Sequence, residues 1–135
     1  MATDKANYAI SEETPLLFGE AVEKARTLLQ ESGYGVLSEI DVQAKLKEKL
    51  DIEREPYLIL GACNPPLANQ GLNVEPELGT LLPCNVVIYE QEGRTRVAAV
   101  EPGTMLSVVG NKELEPIAEQ VRSDLSRVVE ELARG

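Results

Sequence analysis

The chain has no histidine and no tryptophan, and it carries one phenylalanine and four tyrosines in 135 residues. The missing histidine removes the commonest general base and the commonest metal ligand. A Ser-His-Asp or Cys-His mechanism within one chain is therefore excluded, which leaves carboxylates and lysines as the available bases. Scarce aromatics mean that any core must be aliphatic. Two cysteines do not make a disulfide scaffold, and Cys63 and Cys84 lack the Cys-x-x-Cys spacing of a thioredoxin-type motif. Basic residues are outnumbered 13 to 23, giving a formal net charge of −10. Such a field repels a phosphate backbone or an anionic membrane unless one face is locally basic. No basic stripe exists: Lys45, Lys47 and Lys49 alternate with Glu48 and Asp51, while Arg94 and Arg96 stand alone. Nucleic acid and membranes are thus not expected as partners. No apolar run approaches the roughly 18 residues that span a bilayer. Residues 1–7 lack the charged-then-apolar pattern of a signal peptide. The expected setting is cytoplasmic, with reduced thiols.

What is present fits one compact domain over 1–135. At 43% hydrophobic residues, the chain can bury a core without staples. Tyr8 to Ser11 reads as a first strand. Thr14-Pro15 resembles a helix start, and Phe18, Ala21, Val22, Ala25, Leu28 and Leu29 recur at helical spacing until Gly33 stops the run. Gly35 to Ile40 alternates, with Val36, Ser38 and Ile40 expected on one face of a second strand. Asp41 can cap a short helix carrying Val42, Leu46 and Leu50. Tyr57 to Cys63 is a continuous apolar run, hence a third, well-buried strand. Pro65-Pro66 ends it, and 67–82 reads as an irregular segment with a helical turn or two. Asn85 to Tyr89 and Thr95 to Val100 form an antiparallel pair through a turn at Gln91-Glu92-Gly93. Pro102-Gly103 breaks the last strand. Asn111 caps the final helix, whose stripe runs from Leu114 through Ile117, Val121, Leu125 and Val128 to Leu132. Its period is nearer 3.6 than 3.5 residues, which marks a core face and not a coiled coil. The fold class is α+β, with two long helices on one face of a mostly antiparallel five-stranded sheet. Its other face must be solvated, covered by 65–82 or buried in a dimer. Tyr57, Ile59, Val87 and Tyr89 are candidates for it, and an exposed patch that apolar marks an interface or a ligand groove.

The candidate site centres on a dipeptide that occurs twice, in Leu60-Gly61-Ala62-Cys63-Asn64-Pro65-Pro66 and in Leu82-Pro83-Cys84-Asn85-Val86. If the two strands are neighbours, two thiols and two amides share one patch. Free cysteine also serves as a small buried hydrophobe. A thiolate needs a cation or a helix N-terminus nearby, and a helix starting near Pro66 favours Cys63. Structural zinc wants four ligands, which two thiols supply only if a dimer pools four cysteines. Asn64 before Pro65 reads as a turn residue, while Asn85 is left open as a ligand contact. Glu39 and Asp41 project from one side of the second strand. They suit either acid-base work or a solvated face with a helix cap at Asp41. Gly33-Tyr34-Gly35 lacks the third glycine of a dinucleotide fingerprint.

Three strings carry a family resemblance: Gly33-Tyr34-Gly35-Val36-Leu37-Ser38-Glu39-Ile40-Asp41-Val42, Leu60-Gly61-Ala62-Cys63-Asn64-Pro65-Pro66-Leu67-Ala68, and Leu81-Leu82-Pro83-Cys84-Asn85-Val86-Val87. In this order they resemble the domain of unknown function family 302, small bacterial and archaeal proteins with a TBP-like α+β fold. The resemblance implies a curved antiparallel sheet with helices on one side, often as a homodimer. It brings no established reaction and no catalytic residue. The likeness of that fold to a DNA-binding saddle says nothing of function. The resulting expectation is a domain that binds a small molecule or protein partner around Cys63, Asn64, Cys84, Asn85 and Glu39. A thiol-dependent redox or soft-metal protein and a purely structural homodimeric module are the alternatives. No cofactor is indicated.

Overall fold

The computed structural model describes residues 7–135. Five strands, β1 (Ala9–Thr14), β2 (Gly35–Asp41), β3 (Tyr57–Cys63), β4 (Cys84–Gln91) and β5 (Arg94–Val100), form one sheet in the order β1-β5-β4-β3-β2. Every neighbouring pair is antiparallel. The sheet is open, with β1 and β2 as its edges. The helices are α1 (Phe18–Glu31), α2 (Val42–Leu50), α3 (Pro65–Val74), α4 (Pro102–Ser107) and α5 (Glu115–Arg134). This is the expected α+β architecture.

Strand alternation divides the sheet into two faces. Leu58, Leu60 and Ala62 of β3, Val86 and Ile88 of β4, and Val97 and Ala99 of β5 are all buried. They pack beneath Ala21, Val22, Ala25 and Leu29 of α1 and beneath Val121, Leu125, Val128, Val129 and Leu132 of α5. A smaller apolar cluster joins Leu78, Leu106, Leu114 and Ala118 beside this core.

Several local features differ from expectation. Thr14 does not open a helix: it closes β1 opposite Thr95, and its hydroxyl accepts from the Leu16 amide at 3.2 Å. On β2, Val36 stands opposite Ala62 and Ser38 opposite Gly61, so Leu37 is an extra, unpaired residue. This bulge inverts the alternation. Val36 packs on the core, while Ser38 and Ile40 go to the other face. Residues 65–82 are regular: α3 is followed by a 3-10 segment, Pro76–Leu81. Pro65 and Pro66 end β3 and also begin α3, because the first helical turn needs no amide hydrogen. Pro102 likewise opens α4, capped by the Glu101 carboxylate, which accepts from the Thr104 amide at 3.1 Å. Asn111 caps the 3-10 turn Lys112–Leu114 that leads into α5. Glu92 and Gly93 both have positive φ, 54° and 79°, as a two-residue type I′ hairpin requires.

Because Leu67 of α3 packs on the helix-side core, the 65–82 segment does not cover the other sheet face.

Candidate functional site

The register assembles that second face row by row. Ser38, Gly61 and Asn85 stand side by side on β2, β3 and β4. The next row is Ile40, Ile59, Val87, Ala98 and Ser11. A third runs through Tyr57, Tyr89, Arg96 and Glu13. The face therefore grades from small polar groups, through an aliphatic middle, to an aromatic and guanidinium end. Gly61 is buried, and the other residues of these rows are half-buried or exposed.

At the aromatic end the Tyr57 and Tyr89 rings stack, with centroids 5.3 Å apart and planes inclined by 26°. The Arg54 guanidinium lies over the Tyr57 ring, 5.5 Å from its centroid. Burial raises the Tyr57 hydroxyl above its ordinary pKa, and Tyr89 adds to this while Arg54 opposes it. A groove of about 650 Å³ lies along the face, lined by Tyr8, Tyr57, Val87, Tyr89 and Ala98 together with the charged Arg54, Glu55 and Glu90. Asn85 also lines it.

Gly61 is fixed by its neighbours. A Cβ there would lie 2.3 Å from Ser38 Oγ, 2.7 Å from Pro83 Cγ and 3.6 Å from Asn85 Oδ1. The side chains flanking β3 thus close over the glycine. Pro83 reaches this place through a cis peptide bond after Leu82.

The thiols occupy the opposite side. Ala62, not Cys63, is the cross-strand partner of Cys84, yet both cysteines line one cavity of about 40 Å³. Tyr34, Asn64, Leu67, Met105 and Ile117 complete much of its wall. By volume the cavity has room for about one water, but its lining offers few polar partners. Burial pushes the Cys84 thiol up to about 11, and Cys63 adds a smaller push. Tyr34 donates to Asp124 Oδ2 at 2.9 Å, and its hydroxyl is raised chiefly by burial, then by Asp124. Among the described residues, no group of three or more Cys, Asp or Glu could hold a metal ion.

Of the five residues expected to form one patch, Cys63, Asn64 and Cys84 meet at this cavity. Asn64 is the N-cap of α3, its side-chain oxygen accepting from the Leu67 amide at 3.1 Å. Asn85 is exposed on the open face, since adjacent strand residues point to opposite sides. Glu39 stands opposite Leu60 and pairs with Arg26 of α1 at 2.5 Å. Asp41 caps α2 by accepting from the Ala44 amide at 2.9 Å. Sequence reasoning missed Ser38, Gly61 and Arg54. A glycine inside an apolar strand is the one signal that pointed to a close approach.

Known proteins add a family and no activity. No curated protein matches the chain. A crystal structure of the uncharacterized conserved protein DUF302 from Bacillus stearothermophilus has a TM-score of 0.88 and 28% sequence identity, covering 94% of this chain and 99% of that one. No helix among the described residues is long and apolar enough to cross a membrane. The family model "Domain of unknown function DUF302" matches residues 10–132, and the chain belongs to that family.

Proposed function

We propose that the protein is a binding module that holds a small apolar or aromatic molecule in the groove on the open face of its sheet. One observation carries this reading. An antiparallel sheet with one solvated face ordinarily turns polar side chains to water. Here the middle row presents Ile40, Ile59, Val87 and Ala98, with the Tyr57–Tyr89 stack beside it. A groove of about 650 Å³ falls inside the range of roughly 300–1,000 Å³ typical of small-molecule sites, where an apolar floor carries a few polar groups. Asn85 and Ser11 are among the polar groups in its lining.

The test is titration with the neutral fluorophore phenylnaphthylamine, with Val87→Asp as the control variant. Saturable binding that Val87→Asp abolishes, without loss of the folded state, supports the reading. Binding that survives Val87→Asp overturns it. If the protein sediments as a dimer that Tyr57→Lys dissociates and takes up no fluorophore, a second copy occupies the face and the assembly reading replaces this one.

A second reading rests on the cavity shared by Cys63 and Cys84, which places two thiols and the start of α3 together. It makes the protein a thiol-dependent one, and it requires Cys63 to be the reactive group, because burial keeps Cys84 protonated. Rapid native-state alkylation of Cys63 supports this reading; two cysteines that react only on unfolding sink it.

A further inference from the structure

We infer that the groove on the open face selects an aromatic organic cation, with its ring system along Val87 and Ala98 and its charge among Tyr57, Tyr89 and Glu55. This deepens the proposed function and rests on it. The first observation is the placing of the tyrosines. The chain has four; Tyr34 is buried in the core, and Tyr8, Tyr57 and Tyr89 all line this one groove. The face of a phenol ring is electron-rich and attracts cations. Arg54 shows that these rings accept one: its planar guanidinium lies 5.5 Å from the Tyr57 centroid.

The second observation is the charge of the lining. One guanidinium, that of Arg54, meets two carboxylates, those of Glu55 and Glu90, which leaves one negative charge in excess. Among the described residues, neither carboxylate has an ion-pair partner. Glu55 accepts instead from the backbone amides of Glu92 and Gly93, at 3.3 and 3.5 Å. The other charged groups of the face are engaged: Glu13 pairs with Arg94 at 3.3 Å, and Arg96 donates to Ser11 Oγ at 3.0 Å. The net charge of −10 acts in the same direction, raising the local concentration of cations and repelling anions. A charge spread over a ring system is weakly hydrated, as in a guanidinium, so it leaves water for an apolar floor more readily than a compact ammonium does. Arg54 carries the same sign as the ligand and shares the Tyr57 ring with it. Glu55 and Arg54 must therefore act on binding in opposite directions.

Two fluorophores test this: thioflavin T, an aromatic cation, and the neutral phenylnaphthylamine. Glu55→Gln keeps an oxygen for the hairpin amides and should weaken thioflavin T about two- to fivefold at low salt, the scale of one charge at a solvent-exposed rim. Arg54→Gln should strengthen it by a similar factor. The neutral probe should hold within about 1.5-fold in both variants, and the differences should shrink as salt screens the charges. Glu77→Gln, on the 3-10 segment outside the groove, removes the same charge and serves as the control. If it weakens thioflavin T as much as Glu55→Gln does, the field of the whole chain collects the dye and the inference is overturned. If both probes bind but Glu55→Gln spares thioflavin T, or Arg54→Gln weakens it, the cation selection is overturned while the binding groove stands. If neither probe binds, the groove reading itself falls, and this inference with it.

Discussion

Burial of Cys84 can be turned into two measured quantities, a rate and a slope. The thiol is raised from an ordinary 9.0 to about 11, first by burial and then by Cys63. Near neutral pH, a two-unit rise lowers the thiolate population about 100-fold. In a Cys63→Ser variant, the remaining Cys84 should therefore react with an aromatic disulfide at least about 100-fold slower in the native state than in urea. The same shift makes stability depend on pH. The raised native value means that the unfolded chain loses its proton first. Between about pH 9 and pH 11 the native state holds more protons, so stability is complete below that window and falls as pH rises through it. Two units correspond to a loss of about 2–3 kcal/mol. Urea denaturation at several pH values measures this slope. Cys84→Ala should lower stability near neutral pH, through the lost packing, and flatten the alkaline decline. Tyr34, also raised by burial and by Asp124, leaves a residual slope at the highest pH. Parallel pH curves for the two proteins, or native Cys84 reacting as fast as the unfolded thiol, would refute the reasoning.

Three further substitutions probe the frame that holds the two faces. Asn64→Ala removes the cap of α3 and should cost about 1 kcal/mol, read as a shift in urea midpoint; an unchanged midpoint would mean that the 3.1 Å bond to Leu67 contributes nothing. Gly61→Ala places a methyl 2.7 Å from Pro83 Cγ and 2.3 Å from Ser38 Oγ. Overpacking of this sort costs about 1–3 kcal/mol, and adding Ser38→Gly should recover part of it; a fully stable single variant contradicts the close approach. Burial pushes the Glu101 carboxyl up, but Arg122 and the amides of Thr104 and Gly103 outweigh it, so its pKa is lowered. Its contribution is present above the unfolded-state value and is lost as pH falls through the native value. Glu101→Gln should flatten the acid limb of the stability curve, and an acid limb as steep as that of the wild type would count against the capping role.

The sheet and its two long helices were legible because their signals are local and repeated. The stripe from Leu114 to Leu132 carries a helical period, and the apolar runs at Tyr57 and Asn85 are too short for a stable helix. What escaped depended on single residues acting at a distance. Leu37 reads as one more alternating position, and only its lack of a partner on β3 reveals the bulge. Pro65-Pro66 and Pro102-Gly103 read as breaks, whereas proline tolerates the first turn of a helix as well as it ends a strand. The Cys-Asn repeat suggested one patch because two neighbourhoods look alike. In a strand, however, adjacent residues face opposite ways, so Cys84 and Asn85 were bound to separate. At Asn64 the strand has already ended, and the helix that follows takes the amide as its cap. Arg54 lies in the connection between α2 and β3, where no periodicity singles it out.

If the open face is the binding surface proposed above, the division of the sheet also separates folding from recognition. Leu60 and Ile59 are neighbours in sequence with different duties. Leu60 is fully buried at 0% exposure and packs in the core beneath the two long helices, so its truncation must create a cavity costing about 2–5 kcal/mol. Ile59 has no helix above it, so its loss forfeits only its contacts with Ile40 and Val87 across the strands. Such cross-strand pairs contribute about 0.2–1 kcal/mol each. The open face is therefore free to vary at small cost to the fold. Its apolar middle row is not something that stability requires. Solvent exposure of that row is unfavourable for the isolated chain, and covering it with a bound molecule removes the exposure. That energetic asymmetry, more than any one residue, supports the proposal that the open face is the working surface.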